Sequence, residues 1–493
     1  LLALLAVLVL PCGCERAVPE DRLRMGLAAA PRNLDPRLAT DATSERVNRL
    51  LYRRLTEFDA QSLPVPSLAR WERLSPTCYR FTLGAEGRAF ADGSRLTSAD
   101  VKATYESVLE PALASPHRSL LSIIREIRTA GPDRVEFLLR EPDALFPAYL
   151  GIGIMPAALI RSGHPFAQRP VGSGPFRLEA WTQPGSLLLR RRRDGLPVEL
   201  LTVKDPNVRV MKLLRGEIHL VQNDLAPELV GYLRRRPEVR VETADGVNFS
   251  YVGVNLEDPQ TGRPEVRRAL AHALDREAIL RHLFQDTGRL ATGMFPPEHW
   301  AAGDARAAPV HDPERARALL AAAGFGPERP LRLSYKTSSD PFRIRLATVI
   351  QAQLARVGVR LKVQSYDWGT FFGDVKAGRF QLYGLTWVGI RTPDIFRYVF
   401  HSSSVPPDGA NRGRYRSAAA DRLIDAARAT PHLEDQATLY RQLQALLLRD
   451  LPYVPLWYED QVYAWRPELR GYRLAPDGNY DALAGVVFRQ GAR

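Results

Sequence analysis

Apolar and polar residues alternate through Tyr79, Phe81 and Leu83, which predicts a strand with one buried face. Gly87 breaks the run, Asp92-Gly93 marks a turn, and Thr97-Ser98-Ala99-Asp100 has the form of a helix-capping box. In such a box the Thr97 hydroxyl accepts from the Asp100 N–H while the Asp100 carboxylate reaches back to the Thr97 N–H. Phe81 to Leu109 is thus expected to run strand, turn, strand, capped helix. Elsewhere the period is that of a helix at Val47, Leu50, Leu51 and Leu55, and again at Val266, Ala269, Leu270, Ala273, Leu274 and Leu280, read as one helix opened by Arg263-Pro264. Between Arg118 and Leu139 a helical segment gives way to strand-like alternation from Arg134. Phe249 to Leu256 alternates as a strand. Asp312-Pro313 caps a helix that stops at Gly324. Phe342 to Arg356 reads as a helix ended by Gly358, with alternation at Val359, Leu361 and Val363 after it. Asp421–Ala429 and Leu433–Leu448 are amphipathic, and aromatic-rich strands fill Tyr458 to Phe488. Helices and strands that alternate in this way predict an α/β protein.

The chain has 493 residues, 45% hydrophobic and 25% charged, which is enough for two or three domains with substantial cores. Its net charge of +13 comes from arginines scattered along the chain, with no zinc-finger, RNA-recognition or basic-zipper pattern, so no nucleic-acid partner is expected. A basic face against anionic lipid headgroups is the better use of that charge. Leu1 to Leu10 is uninterrupted apolar sequence, of signal-peptide length and short of the roughly 20 residues of a membrane span. Gly13-Cys14 after it resembles the end of a bacterial lipoprotein processing site, which would place a lipid on Cys14; Pro11 stands where that site usually has Leu. Cys78 is then alone, so no disulfide framework is expected.

Reactive constellations are missing. G-x-S-x-G, H-E-x-x-H, S-x-x-K with its partners, a Walker A loop and metal-spaced His/Cys clusters do not occur. Adjacent carboxylates such as Glu257-Asp258 and Glu459-Asp460 point apart in extended geometry. The expectation is binding without catalysis, and no cofactor or metal. Two arginine runs, Arg190 to Arg193 and Arg234 to Arg236, read as solvated loop charges.

Phe90, Asp92, Gly93, Leu96, Thr97, Asp100 and Val101 spell F-x-D-G-x-x-L-T-x-x-D-V, which resembles the signature of the extracytoplasmic solute-binding proteins of family 5, the oligopeptide- and dipeptide-binding components of peptide ABC importers. Further phrases resemble the family's in the same order. They are Asn33-Leu34-Asp35-Pro36, Pro66-Ser67-Leu68-Ala69 with Trp71, Gly216-Glu217-Ile218 with His219 in place of the usual Asp, and Val266-Arg267-x-Ala269-Leu270 with Asp275-Arg276. The resemblance implies a two-lobed periplasmic-binding-protein-like clamshell, the class II type in its large form with an extra small domain and a discontinuous first lobe. The expected divisions are a signal with a lipobox-like end at 1–14, lobe I at 15–44, the small extra domain at 45–172, lobe I again at 173–250, lobe II at 251–463, and lobe I at 464–493.

The resemblance also implies a site. In peptide-binding relatives an Asp three residues after the Trp that corresponds to Trp387 holds the ligand ammonium, and this chain has Ile390 there. Either Asp394 compensates from the next turn or the ligand lacks a free amine. Lys336-Thr337 stands where dipeptide-binding relatives place a carboxylate-pairing Arg. Asn411-Arg412-x-Arg414-Tyr415 resembles a phrase that approaches the cleft. Expected ligand contacts are therefore Trp387, Arg391, Asp394, Asn411, Tyr415 and Lys336. The implied role is a monomeric, lipid-anchored receptor on the periplasmic or extracytoplasmic face of the membrane, which delivers peptides to an ABC permease and its ATPase. Rivals are the same fold with a sugar, opine or metal chelate, a secreted lipoprotein hydrolase, and a ligand receptor for a membrane sensor.

Overall fold

The computed structural model describes residues 22–182, 185–304 and 308–489. The signal-like segment and Cys14 lie outside the described residues. One sheet of eleven strands organises the molecule. On one side Leu23–Leu27 runs parallel to Pro197–Thr202 and Leu220–Gln222, and Ser186–Arg191 and Phe176–Thr182 extend that side. On the other, Leu331–Ser338 runs parallel to both Val359–Tyr366 and Leu382–Trp387. Between them lie two long antiparallel strands, Arg240–Val254 and Tyr453–Trp465. Each borders one half: Tyr453–Trp465 pairs with Leu220–Gln222 near Trp465, and Arg240–Val254 pairs with Leu382–Trp387 from Phe249 onward. They are the strands that join the two halves.

Their pairing is irregular at the crossing. Register shifts fall between Ala244 and Asn248 and between Ser250 and Tyr251, and such irregularities bend and twist a ladder. Gly246 sits in the first shift, where an added Cβ would lie 2.0 Å from the Glu459 carbonyl oxygen. No larger residue fits there without displacing the partner strand.

A second sheet, in the order Ala69–Ser75, Cys78–Leu83, Arg134–Leu139, Ile124–Thr129, forms the small domain. Its core draws on residues from Leu55 to Ile154, whereas Val47, Leu50 and Leu51 of the helix Ala42–Leu51 pack into the first lobe's core with Leu23, Leu189 and Tyr463. The capping box forms: the Asp100 carboxylate accepts from the Thr97 N–H at 2.7 Å. The other Asp100 oxygen accepts from the Ala157 N–H at 2.8 Å, so the cap also fixes the return of the chain to the first lobe. That return is tight. A Cβ on Gly174 would meet the Leu50 carbonyl oxygen at 2.4 Å.

Four local expectations change. The second strand expected after Gly87 is only an isolated bridge between Ala89 and Arg95. Ile124–Thr129 is a strand rather than helix, because it pairs with Arg134–Leu139. The helix expected through Leu280 is two, Pro264–Ala273 and Arg276–Leu283, since the Asp275 side chain caps the second by accepting from the Ala278 N–H. The arginine run is not a solvated loop at Arg191, which is 3% exposed. Strand alternation turns that side chain inward, where it donates to the carbonyls of Leu483, Ala484 and Val486 at 3.2, 3.3 and 2.6 Å and pairs with Asp194.

Two outcomes follow from this packing. Arg191→Met should leave those carbonyls unmet and destabilise the fold by about 1–3 kcal/mol in denaturant titration. Unchanged stability would show that the clamp is dispensable. Beside the crossing, burial and the nearby Asp245 push the Asp460 carboxyl up to about 6, against Arg289 and the backbone of Gly246 and Gly288. A carboxyl raised in the folded state binds protons more tightly there, so its contribution falls as pH rises from the ordinary value of about 4 to about 6. Asp460→Asn should therefore raise Tm by about a degree or two at pH 7.5 and leave it unchanged near pH 4.

Candidate ligand-binding site

A cavity of about 350 Å³ lies between the lobes, walled by all three parts of the molecule. The first lobe contributes the helix Ala42–Leu51, started by Asp41, whose side chain accepts from the Ser44 N–H at 2.9 Å. Glu45 and Asn48 stand three residues apart and so share one helix face, which is turned to the cavity. Arg54 follows just beyond the helix. Phe58, His117 and Tyr149 come from the small domain. Gly389, Arg391 and Thr392, in the loop after Leu382–Trp387, close the far side.

Arg391 spans the gap. Its guanidinium pairs with Asp477 of the first lobe and lies 5.0 Å over the Phe58 ring. Burial, with Arg49 and Arg54 nearby, lowers it to about 10, which leaves it charged at neutral pH. Arg49 is held by Asp481 at 3.0 Å and Glu57 at 2.8 Å. Arg54 is 8% exposed, makes no side-chain hydrogen bond among the described residues, and approaches Glu57 only at 3.6 Å. Burial, then Arg49, lowers its pKa. Glu45 is half-buried; burial raises its carboxyl against the pull of Arg54. Asn48 Oδ1 and His117 Nε2 are buried without hydrogen-bond partners, and burial keeps His117 below the usual histidine range, hence neutral at pH 7.

Of the six expected contacts, the structure places Arg391 on the cavity. Trp387 pairs with Phe249 in the sheet, and the guanidinium of Arg412 lies 4.8 Å over its ring and 5.0 Å over that of Phe372. Its Nε1 is buried and unpartnered. Asp394 opens the helix Asp394–Phe400, half-buried, where burial raises its carboxyl against Arg428 and Arg397. It does not line the cavity, and Ile390 is buried in the second lobe's core. Asn411 is bound into its own loop: Nδ2 donates to the Tyr415 carbonyl at 2.7 Å and the His401 carbonyl at 3.1 Å, and Oδ1 accepts from the Tyr415 N–H at 2.8 Å. The Tyr415 hydroxyl donates to Asp450 at 2.7 Å. Lys336 donates to Asp374 at 2.6 Å and lies 5.2 Å over the Tyr366 ring. Sequence reasoning missed Glu45, Asn48, Arg54, Phe58, His117 and Tyr149. A helix-face carboxylate at Glu45 was visible, but no local pattern says which exposed-looking face a distant loop will cover.

A larger cavity, about 820 Å³, lies at the sheet's outer edge, lined by residues such as Phe325, Gln351 and Leu361. All its walls belong to one lobe, so lobe closure does nothing to it.

The model of the bacterial extracellular solute-binding proteins, family 5 middle, matches residues 37–407. The chain belongs to that family. Its members bind solutes outside the cytoplasm for ABC transport and are not enzymes. Among curated proteins this family 5 chain is 29% identical to di/tripeptide-binding protein 2 of Pseudomonas aeruginosa, over 91% of each chain. It is 26% identical to heme-binding protein A of Haemophilus influenzae, over 93% of this chain and 91% of that one. Among solved structures it superposes on NikZ from Campylobacter jejuni in complex with Ni(L-His) with a TM-score of 0.82 at 22% identity, over 95% of this chain and 100% of that one. That likeness shows the family's two-lobed α/β fold. The hydrolase reading of the sequence is set aside by family membership.

Because Asn411 braces the loop rather than facing the cavity, Asn411→Ala should lower unfolding free energy by about 1–3 kcal/mol while ligand preference stays the same. A change of preference at unchanged stability would place it in the site after all.

Proposed function

We propose that this chain captures a peptide-class solute in the interlobe cavity and presents it, closed, to a permease driven by an ATPase. The observation that carries this reading is Arg391, which reaches from the second lobe across the cavity to Asp477 and Phe58. A ligand in that cavity touches both lobes at once and so binds the closed state better than the open one. The joining strands, with their irregular register and the obligatory Gly246, act as the hinge. We assign lobe I to 22–51, 173–250 and 464–489, the small domain to 52–172, and lobe II to 251–463; the expected boundary after residue 44 moves to Leu51 because the helix Ala42–Leu51 packs into the first lobe's core.

Peptide is favoured because di/tripeptide-binding proteins are among the relatives, and because the cavity wall presents both acidic and basic side chains. A relative that binds heme keeps other solutes in contention. Lipidation of Cys14 would tether the receptor to the membrane surface. Cys14→Ser should then release the chain from the membrane fraction, and retention there would refute the anchor. Transport, rather than signalling to a membrane sensor, is supported by the family's role.

Native mass spectrometry of the chain beginning after Cys14, purified without refolding, tests the ligand class. A bound mass that fragments as amino acids is expected; an adduct of other chemistry would contradict it. Removing Arg391 should weaken that ligand about tenfold or more, since one partner of a buried ion pair is lost. Equal affinity in Arg391→Ala would deny the bridge a part in closure.

A further inference from the structure

The charged groups around the interlobe cavity divide into those already matched and those left over. Arg49 is matched by Asp481 and Glu57, and Arg391 by Asp477. Left over are the Glu45 carboxylate, which makes no ion pair or side-chain hydrogen bond among the described residues, and its neighbour Asn48 Oδ1, buried and unpartnered. The Arg54 guanidinium, 8% exposed, is only weakly matched: it makes no side-chain hydrogen bond among the described residues and approaches Glu57, already bound to Arg49, at 3.6 Å. All three line the same cavity. A buried acceptor without a partner, as at Asn48 Oδ1, is unfavourable unless something brings the complementary group, and the half-buried Glu45 and weakly paired Arg54 beside it have bonding capacity to spare. A cationic solute would leave Arg54 with only its long contact to Glu57, and an anionic one would leave Glu45 without a partner.

Given the binding site proposed above, on which this rests, we infer that the ligand is a zwitterion whose ammonium is held by Glu45 with Asn48 and whose carboxylate is held by Arg54. The ammonium-holding carboxylate is thus on a first-lobe helix, and the second-lobe loop, with Ile390 buried in the core, supplies none. Glu45 accepts as a carboxylate, and Asn48 Oδ1 adds a second acceptor from one turn further along the helix. Arg54 offers the fork that matches a carboxylate in two parallel bonds. The cavity, about 350 Å³, stands at the small end of ligand pockets, roughly 300–1,000 Å³, and fits a solute of dipeptide size rather than a longer peptide. Glu45 is therefore the specificity-determining residue for a free amine, and chain length is limited by the His117 and Tyr149 wall.

Thermal-shift screening of free amino acids, dipeptides, haemin and sugars, followed by calorimetry, tests this. The expected result is that a dipeptide binds, that its N-acetyl and C-amide derivatives each bind at least tenfold more weakly, and that Glu45→Gln removes the preference for the free amine while Arg54→Met removes that for the free carboxylate. Should either variant fail to fold, the derivatives on the unaltered protein decide alone. A zwitterion that binds as tightly after N-acetylation, or to Glu45→Gln, would overturn the inference and leave the binding-protein reading intact. Binding confined to a solute without an ammonium group would do the same. Absence of binding by every compound, with no co-purified ligand, would count against the proposed function itself.

Discussion

Everything in this molecule depends on one pair of strands. Arg240–Val254 and Tyr453–Trp465 lie antiparallel through the centre of the large sheet, the first paired with Leu382–Trp387 of one half and the second with Leu220–Gln222 of the other. A continuous ladder would make the halves one rigid slab. The register shifts around Ala244–Asn248 and Ser250–Tyr251, and the close approach of Gly246 to Glu459, concentrate the bend in a few residues. A hinge of this kind absorbs a change of angle in a few backbone dihedrals while both flanking cores, one around Leu189 and Tyr463 and the other around Val254 and Trp457, stay packed.

What closure brings together is charge. The cavity collects the buried Arg54 and, from the second lobe, the half-buried Arg391. Arginine repulsion is offset by Glu57 and, from one segment near the end of the chain, by Asp477 and Asp481. Arg391 has a carboxylate partner and an aromatic face across the cavity; on the proposed reading, the remaining donors and acceptors are for the solute.

Much of the fold was legible from residues alone. The alternation at Tyr79, Phe81 and Leu83, the cap at Thr97 and Asp100, and the Asp312-Pro313 helix start each obey local rules and were read without tertiary information. Arg191 was misread because a run of like charges usually faces water; its burial depends on carbonyls nearly 300 residues away. Of the proposed site, only Arg391 was legible. Asn411 and Tyr415 match a phrase near the cleft, yet their polar groups are bound within their own loop and to Asp450. Glu45, Asn48 and Arg54 follow no motif, since what makes them a site is the second lobe folding over them.

The central claim is that solute binding and lobe closure are one event. Small-angle scattering of the protein stripped of ligand by mild unfolding and refolding, then titrated with the solute that co-purifies with it, measures this directly. The account predicts that the radius of gyration falls in proportion to occupancy. Full occupancy with no change in the scattering curve would contradict it.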